Sequence, residues 1–324
     1  MSDTKTVDVF IAGQGAAAFS AALYSARYQM DTILAGESFG GETAIGGLIE
    51  NYPGAPDIDG FDLMLKFKEQ VDKLEVPTLN ANLAHVRKSG DMFEAELSDG
   101  STVRTLSVIL AIGRERRKLN LPNEDKWTGM GVSYCSTCDA PLYRSKVAAV
   151  VGGGNAAVEG AILIAKYAET VYLIYRRDQF TRPEPILLRI LEKTKNVKVL
   201  FTTEVTELIG SNETGLTGIR ISKPYEGRDE LELDGLFIEA GADPRLEIPN
   251  ELSLEINPET NEVHVDRGMN TNVPGIYAAG DLTDGTELKQ TVTAAAQGAI
   301  AALSAYKHAS EHPSKLGEPE TATV

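Results

Sequence analysis

Two cysteines, the only ones in the chain, stand three apart as Cys135-Ser-Thr-Cys138, with Asp139 directly after the second. A Cys-x-x-Cys pair can close a small disulfide and reopen it, and a helix N-terminus or a nearby charge stabilises the attacking thiolate. A zinc site needs further ligands, and of the four histidines only His308 and His312 share helical spacing, far from the cysteines in sequence. No metal is expected. A purely structural disulfide is also a poor reading, because so short a loop removes little unfolded-state entropy and a reducing compartment opposes it. The pair is suited to redox chemistry. Asp139 is placed to hold or deliver a proton when a thiolate leaves, or to cap a helix starting near Ala140, and the two roles can coexist.

The second chemical signal is a glycine turn that occurs twice. Gly13-x-Gly15-x-x-Ala18 and Gly152-x-Gly154-x-x-Ala157 lie about 140 residues apart, each between an apolar run and a helical pattern. Such a turn lets backbone N–H groups approach a pyrophosphate, and the helix N-terminus favours its negative charge. The alternative is that the glycines only make tight turns and close helix packing. Two dinucleotides are implied. An acid about 20 residues on normally reaches a ribose hydroxyl, and in the first repeat Glu37 is the nearest carboxylate. In the second repeat that place holds Arg176-Arg177, with Arg182 beyond. A guanidinium pair attracts a 2′-phosphate, which favours NADP over NAD, unless these arginines form an ordinary solvated basic face.

The elements that must position these groups follow from the hydrophobic pattern. Val7–Ala12, Thr32–Ala35 and Ser107–Ile112 read as strands, Ala16–Gln29 and Phe61–Leu74 as helices, and Gly36–Pro56 as a long loop. Met92–Leu97 and Thr102–Thr105 flank a Ser98-Asp99-Gly100 turn. A second cycle runs through strand Val147–Val151, helix Ala156–Tyr167, strand Thr170–Tyr175, helix Pro185–Lys195 and strand Val197–Phe201, and Asp234–Ala240 mirrors Ser107–Ile112. Gly275–Asp281 and a helix from Thr291 to about Lys307 return the chain to the first domain, and residues 310–324 read as a polar tail. The alternation predicts an α/β fold with parallel sheets.

Composition bounds the rest. The chain has 324 residues and a formal charge of -16, from Lys+Arg 31 against Asp+Glu 47, which disfavours nucleic acid as a partner. Its length predicts two domains. No stretch reaches the ~18 apolar residues of a membrane helix, and the polar start Met1–Thr6 lacks the charged-then-apolar pattern of a signal peptide, so a soluble cytoplasmic protein without a membrane partner is expected.

With both turns, the cysteine pair between them, Gly40-Gly41, Glu50-Asn51-Tyr52-Pro53-Gly54, Asn155-Ala-Ala-Val-Glu159, Arg176-Arg177, Gly275-Ile-Tyr-Ala-Ala-Gly280-Asp281 and Gln290, the sequence resembles low-molecular-weight thioredoxin reductases over about residues 7–306. The resemblance implies two Rossmann-like three-layer (β/β/α) domains, the second inserted in the first. Residues 1–116 plus 245–324 would bind FAD, and residues 117–244 would bind NADPH and carry the cysteines. It assigns Gly13, Gly15, Ala18, Glu37, Gly41, Asn51, Gly280, Asp281, Gln290, Thr291 and Val292 to FAD. It assigns Gly152, Gly154, Asn155, Ala157, Glu159, Arg176, Arg177 and Arg182 to NADPH. Electrons would pass from NADPH through FAD to the Cys135–Cys138 disulfide and on to a thioredoxin-like protein, with Cys138 facing the flavin and Cys135 attacking the partner. A homodimer is implied, and Gly113–Arg117 and Ala240–Pro244 are the expected hinges.

The sequence also departs from the family. The usual His-Arg-Arg becomes Tyr175-Arg176-Arg177 with Thr181 in place of a further arginine, Gly160 stands where a second glutamate is common, and the segment from Asp281 to Gln290 is one residue longer. Two related readings stay open: the same scaffold fed by ferredoxin or another non-nicotinamide donor, and a flavin dithiol oxidase.

Overall fold

Continuous Val/Ile/Ala runs suit strands covered on both faces, and that is what these become. The computed structural model describes residues 5–311. Two compact units divide the chain: one comprises the described residues up to Arg114 and those from Pro244 onward, the other Glu115–Asp243. Each is a Rossmann-like α/β layer structure, the second inserted in the first.

In the first unit, Lys5–Ala12 pairs in parallel with Thr32–Ala35 on one side and Thr102–Leu110 on the other, and Ile276–Ala278 joins the far end of the latter. Thr102–Leu110 is one unbroken strand where two were expected. Its first half pairs antiparallel with Met92–Leu97, which pairs with Leu83–Ser89. Leu106, at the expected break, is buried, so the chain has no reason to turn there. Helices Ala16–Arg27 and Thr291–Ser310 pack closely along small residues: a Cβ at Gly298 would stand 2.0 Å from the Ala17 carbonyl oxygen. The loop expected over 36–56 holds a short helix, Gly41–Ile45, and a strand, Leu48–Ile49, paired with Ile58–Asp59. Five helical residues are too few to show a period in sequence. The tail expected at 310–324 falls, from residue 312 on, outside the described residues.

In the second unit, five parallel strands run in the order Val132–Ser133, Gly235–Ile238, Val147–Val151, Thr170–Tyr175, Val197–Phe201. Period-two alternation splits their side chains between two cores. Ala148, Val150, Val171, Leu173 and Phe237 pack with helices Asn155–Ala165 and Pro185–Lys193, while Ala149, Ile174, Leu236 and Ile238 pack with an antiparallel sheet formed by Val205–Ser211, Gly215–Tyr225 and Arg228–Glu232. This sheet was not foreseen, since register shifts interrupt its alternation. The chain crossings Arg114–Arg116 and Ala242–Pro244 pair as a two-stranded ribbon. Among the described residues no helix is long and apolar enough to cross a membrane.

Candidate active site

The two glycine turns are built alike. Gly13 (φ 118°) donates its N–H to Ala35 O at 2.7 Å, and Gly152 (φ 151°) donates to Ile174 O at 3.0 Å. A Cβ on Gly13 would meet Ala111 O at 2.2 Å, and one on Gly152 would meet Glu239 O at 2.2 Å, so both glycines are fixed by strand contact. Gly15 and Gly154 differ in kind. Each caps a helix without a side-chain hydrogen bond, and an added Cβ would meet nothing within 4 Å. The fold itself does not need glycine there; a diphosphate approaching the free N–H groups of the first helical turn does. Ala18 and Ala157 are fully buried in those turns. Both sites therefore fit a dinucleotide at its phosphates.

Around the first turn, the Glu37 carboxylate is fixed just beyond the second strand, accepting from Asn82 Nδ2 at 2.7 Å and Ser98 Oγ at 2.9 Å. Gly41 (φ 54°) would bring a Cβ within 3.4 Å of Gly15 Cα. Asn51 Nδ2 donates to Gln290 Oε1 at 3.1 Å, and the Thr43 and Thr291 hydroxyls meet at 3.0 Å, so the glycine-rich segment is tied to the start of the terminal helix, where half-buried Val292 follows. Gly280 N–H donates to Gln297 Oε1 at 2.7 Å. Asp281 beside it accepts no hydrogen bond on its carboxylate from the described residues. Burial pushes its pKa up, as do Glu262 and Glu42, against the pull of Arg114 and Lys289.

Sequence reading missed the frame that holds this segment. Arg114 Nε donates to Asp281 O at 2.8 Å, and the same guanidinium pairs with Glu262, which is nearly buried. Lys289 Nζ reaches Glu262 Oε2 at 3.0 Å and the carbonyls of Thr283 at 2.5 Å and Thr286 at 2.8 Å. No spacing rule links positions so far apart.

In the second unit, Cys135 and Cys138 form a disulfide with Cα atoms 5.3 Å apart. They flank the start of a one-turn helix, Ser136–Asp139, immediately beyond the edge strand Val132–Ser133. The disulfide and the second glycine turn thus lie beyond carboxyl ends of strands in one parallel sheet, the position where open α/β sheets bind ligands. Cys138 is exposed and Cys135 half-buried. The Cys138 N–H donates to Cys135 Sγ at 3.1 Å, a bond that favours negative charge on that sulfur. Asp139 precedes the turn Ala140–Tyr143, yet its side chain makes no capping hydrogen bond, so of the two roles foreseen for it the cap is absent. Beneath the cysteines, Ser136 donates from Oγ to Glu239 Oε1 at 2.8 Å and from N–H at 3.3 Å. Glu239 was not singled out from sequence.

The remaining nucleotide-side residues are mixed. Among the described residues no hydrogen bond or ion pair reaches the side chains of Arg176, Arg177 or Arg182, three exposed cations in an acidic chain. Glu159 is exposed on the helix. Tyr175 is buried against Gly153, where a Cβ would stand 2.1 Å from the ring, and it stacks on Phe180 at 5.6 Å. Asn155 is engaged with Glu184, its Nδ2 donating to Oε1 at 3.2 Å. No cluster able to hold a metal ion occurs among the described residues.

The family model of the pyridine nucleotide-disulphide oxidoreductases matches residues 7–298. The chain belongs to this family, in its low-molecular-weight thioredoxin reductase branch. It is 35% identical over 315 residues to a thioredoxin reductase of Mycolicibacterium smegmatis, covering 96% of this chain and 99% of that one. It is also 35% identical over 305 residues to a component of the alkyl hydroperoxide reductase of Pseudomonas putida, covering 93% of this chain but only 58% of that longer protein. The crystal structure of Lactococcus lactis thioredoxin reductase superposes with a TM-score of 0.87 at 32% identity, covering 94% of this chain and 99% of that one. The family is one of disulfide oxidoreductases that use a flavin and a pyridine nucleotide, and the chain spans about three-fifths of the length of the alkyl hydroperoxide reductase components it matches.

Proposed function

We propose that the protein is a cytoplasmic, homodimeric thioredoxin-disulfide reductase that passes electrons from NADPH through FAD and the Cys135/Cys138 dithiol to a thioredoxin-like protein. The observation that carries this reading is that the Cys135–Cys138 disulfide and an open nucleotide turn both stand beyond the carboxyl ends of strands in one parallel sheet. In this reading residues 1–116 plus 245–324 bind FAD and residues 117–244 bind NADPH. Gly13, Gly15 and Ala18 open the FAD pyrophosphate site, with Glu37 at the ribose, and Gly41, Asn51, Gly280, Asp281, Gln290, Thr291 and Val292 line the rest. Gly152, Gly154, Asn155, Ala157 and Glu159 take the NADPH backbone, and Arg176, Arg177 and Arg182 its 2′-phosphate.

Bound FAD supplies the two-electron relay between nicotinamide and disulfide. The chain's own residues do the rest. Once reduced, Cys135 attacks the partner disulfide as a thiolate, and Cys138 resolves the mixed disulfide, closing Cys135–Cys138 and releasing the partner dithiol. Asp139, whose carboxylate is not used as a cap, holds the proton exchanged at the leaving sulfur.

One observation favours a second reading. The Glu184 carboxylate, bound to Asn155 at the start of the second nucleotide helix, opposes phosphate there and supports a non-nicotinamide donor such as ferredoxin. Anaerobic titration of the yellow protein with NADPH, with NADH and with a chemical reductant decides between them. Flavin bleaching by NADPH, followed by thioredoxin reduction that Cys138→Ser abolishes, is the expected result. Bleaching by the chemical reductant alone would replace NADPH by another donor, and full thioredoxin reduction by Cys138→Ser would overturn the dithiol route.

A further inference from the structure

The two units repeat one turn, and the repeat isolates an unusual residue. The residue whose carbonyl closes on the turn glycine is Ala111 in the first unit and Glu239 in the second, each 2.2 Å from the Cβ that its glycine lacks. The fold is thus made with an alanine at this point, and the second copy carries a carboxylate that is almost wholly buried instead. Burying an anion is costly unless it has a task or full partners. Glu239 has few partners: Ser136 through Oγ and N–H, and Arg116, whose Nη1 lies 3.5 Å away. Burial pushes its carboxyl above the usual range, with Arg116 and Ser136 pulling the other way.

Its place matters because Ser136 lies between the two cysteines and is itself buried. Gly160, on the neighbouring helix, leaves the space Ser136 occupies; a Cβ there would stand 2.5 Å from Ser136 Oγ. An amide at the start of a helix that follows a cysteine ordinarily helps to hold a thiolate. Here the Ser136 N–H is directed to Glu239, and the Cys138 N–H donates to Cys135 Sγ. The anion also sits where its field disfavours a second negative charge.

We infer that Glu239 is a positioning residue that holds the Cys135–Cys138 pair in a strongly reducing state, by binding Ser136 beneath it and opposing thiolate charge. The inference rests on the proposed redox role of this pair. Removing the charge lowers the thiol pKa of the dithiol form, stabilises that form, and makes the pair a weaker reductant. Arg116 is the charged side chain facing Glu239, and removing it acts in the opposite sense.

The test uses the flavin-containing protein, equilibrated anaerobically in buffers of reduced and oxidised dithiothreitol. In that exchange the Cys135–Cys138 bond breaks as the reagent's disulfide forms, with two electrons and two protons passing between them. Mass change on alkylation reads the ratio without ambiguity, since the chain has Cys 2. Glu239→Gln keeps the side-chain shape and an acceptor for Ser136. It is expected to move the exchange constant about tenfold toward the dithiol, equivalent to about 30 mV, and to speed alkylation of the reduced pair near pH 7. Arg116→Gln is expected to move both in the reverse direction. A merely structural role would leave the thiol pKa of Glu239→Gln where it was. Unchanged exchange constant and alkylation profile in both variants would overturn the inference while leaving the redox role standing. A wild-type pair that no dithiothreitol buffer reduces would overturn both.

Discussion

Asn155 and Glu184 hold each other by two hydrogen bonds across 29 residues of chain: the Glu184 N–H donates to Asn155 Oδ1 at 2.9 Å, and Asn155 Nδ2 donates to Glu184 Oε1 at 3.2 Å. The pair sets a carboxylate beside the first turn of helix Asn155–Ala165, where the positive end of the helix would otherwise face phosphate alone. Glu184→Gln removes the charge and leaves the shape. Binding of NADP⁺, measured by calorimetry, should tighten about tenfold, equivalent to ~1.4 kcal/mol. Equal affinity in wild type and variant would mean that the carboxylate swings clear of the ligand.

Arg176 and Arg177 offer the opposite charge, and no side chain among the described residues neutralises them. A charged hydrogen bond to a 2′-phosphate contributes about 1.5–3 kcal/mol. Arg176→Gln with Arg177→Gln should therefore weaken NADPH by roughly 10- to 100-fold or more, and leave NADH nearly unchanged. The ratio of the two dissociation constants is the measurement, and an unaltered ratio would reduce these arginines to a solvated face.

Much of this site was legible because its chemistry is local. Cys135, Cys138 and Asp139 are adjacent, and each glycine turn is bounded by its own strand and helix, so residue type and spacing within a few positions suffice. Glu239, Glu184 and the Arg114–Glu262–Lys289 frame were not legible, because each acts through a partner brought near only by the completed fold. The same holds for architecture. The parallel strands announced themselves as continuous apolar runs, whereas the sheet of Val205–Ser211, Gly215–Tyr225 and Arg228–Glu232 hid behind register shifts. Asp139 shows the limit of local rules in the other direction: its type and place fit a helix cap, and its side chain does not form one.

Gly298 is a position where helix packing, not turn geometry, demands glycine. Its missing Cβ would stand 2.0 Å from Ala17 O and 2.8 Å from Ala17 C, both backbone atoms that cannot swing aside. Gly298→Ala must push apart the helix that starts the first nucleotide turn and the terminal helix. Overpacking of this kind costs about 1–3 kcal/mol, and flavin retention should fall with stability. Thermal melting followed by flavin fluorescence will show an earlier release than in wild type; an unchanged release temperature would mean that the two helices are not rigidly coupled.

Lys289 closes the frame beneath Asp281 by satisfying Glu262 and two backbone carbonyls at once. Lys289→Met keeps the stem and removes three donors, leaving Glu262 to Arg114 alone. Losing one partner of a largely buried ionic group is expected to destabilise by about 1–3 kcal/mol. Urea unfolding should give a lower midpoint with an unchanged slope, and a midpoint equal to wild type would show that Arg114 suffices.

His264 provides a stability term with a defined pH sign. Its Nδ1 lies 2.8 Å from Asp284 Oδ2, and that hydrogen bond, then the charge of Asp284, raises its pKa above the ordinary 6.5. Asp284 is in turn held low: burial raises it, but hydrogen bonds from Asn257, His264 and the Val265 N–H outweigh this. A histidine whose folded pKa is raised binds its proton more tightly in the native state, so its stabilisation is complete below the unfolded pKa and disappears as pH climbs through the folded one. The ring is largely exposed and the effect correspondingly screened. His264→Gln should thus lower the urea midpoint measurably at pH 5.5 and much less at pH 8.5. A deficit that is the same at both values would assign the role of His264 to packing or to a neutral hydrogen bond with Asp284, not to its charge.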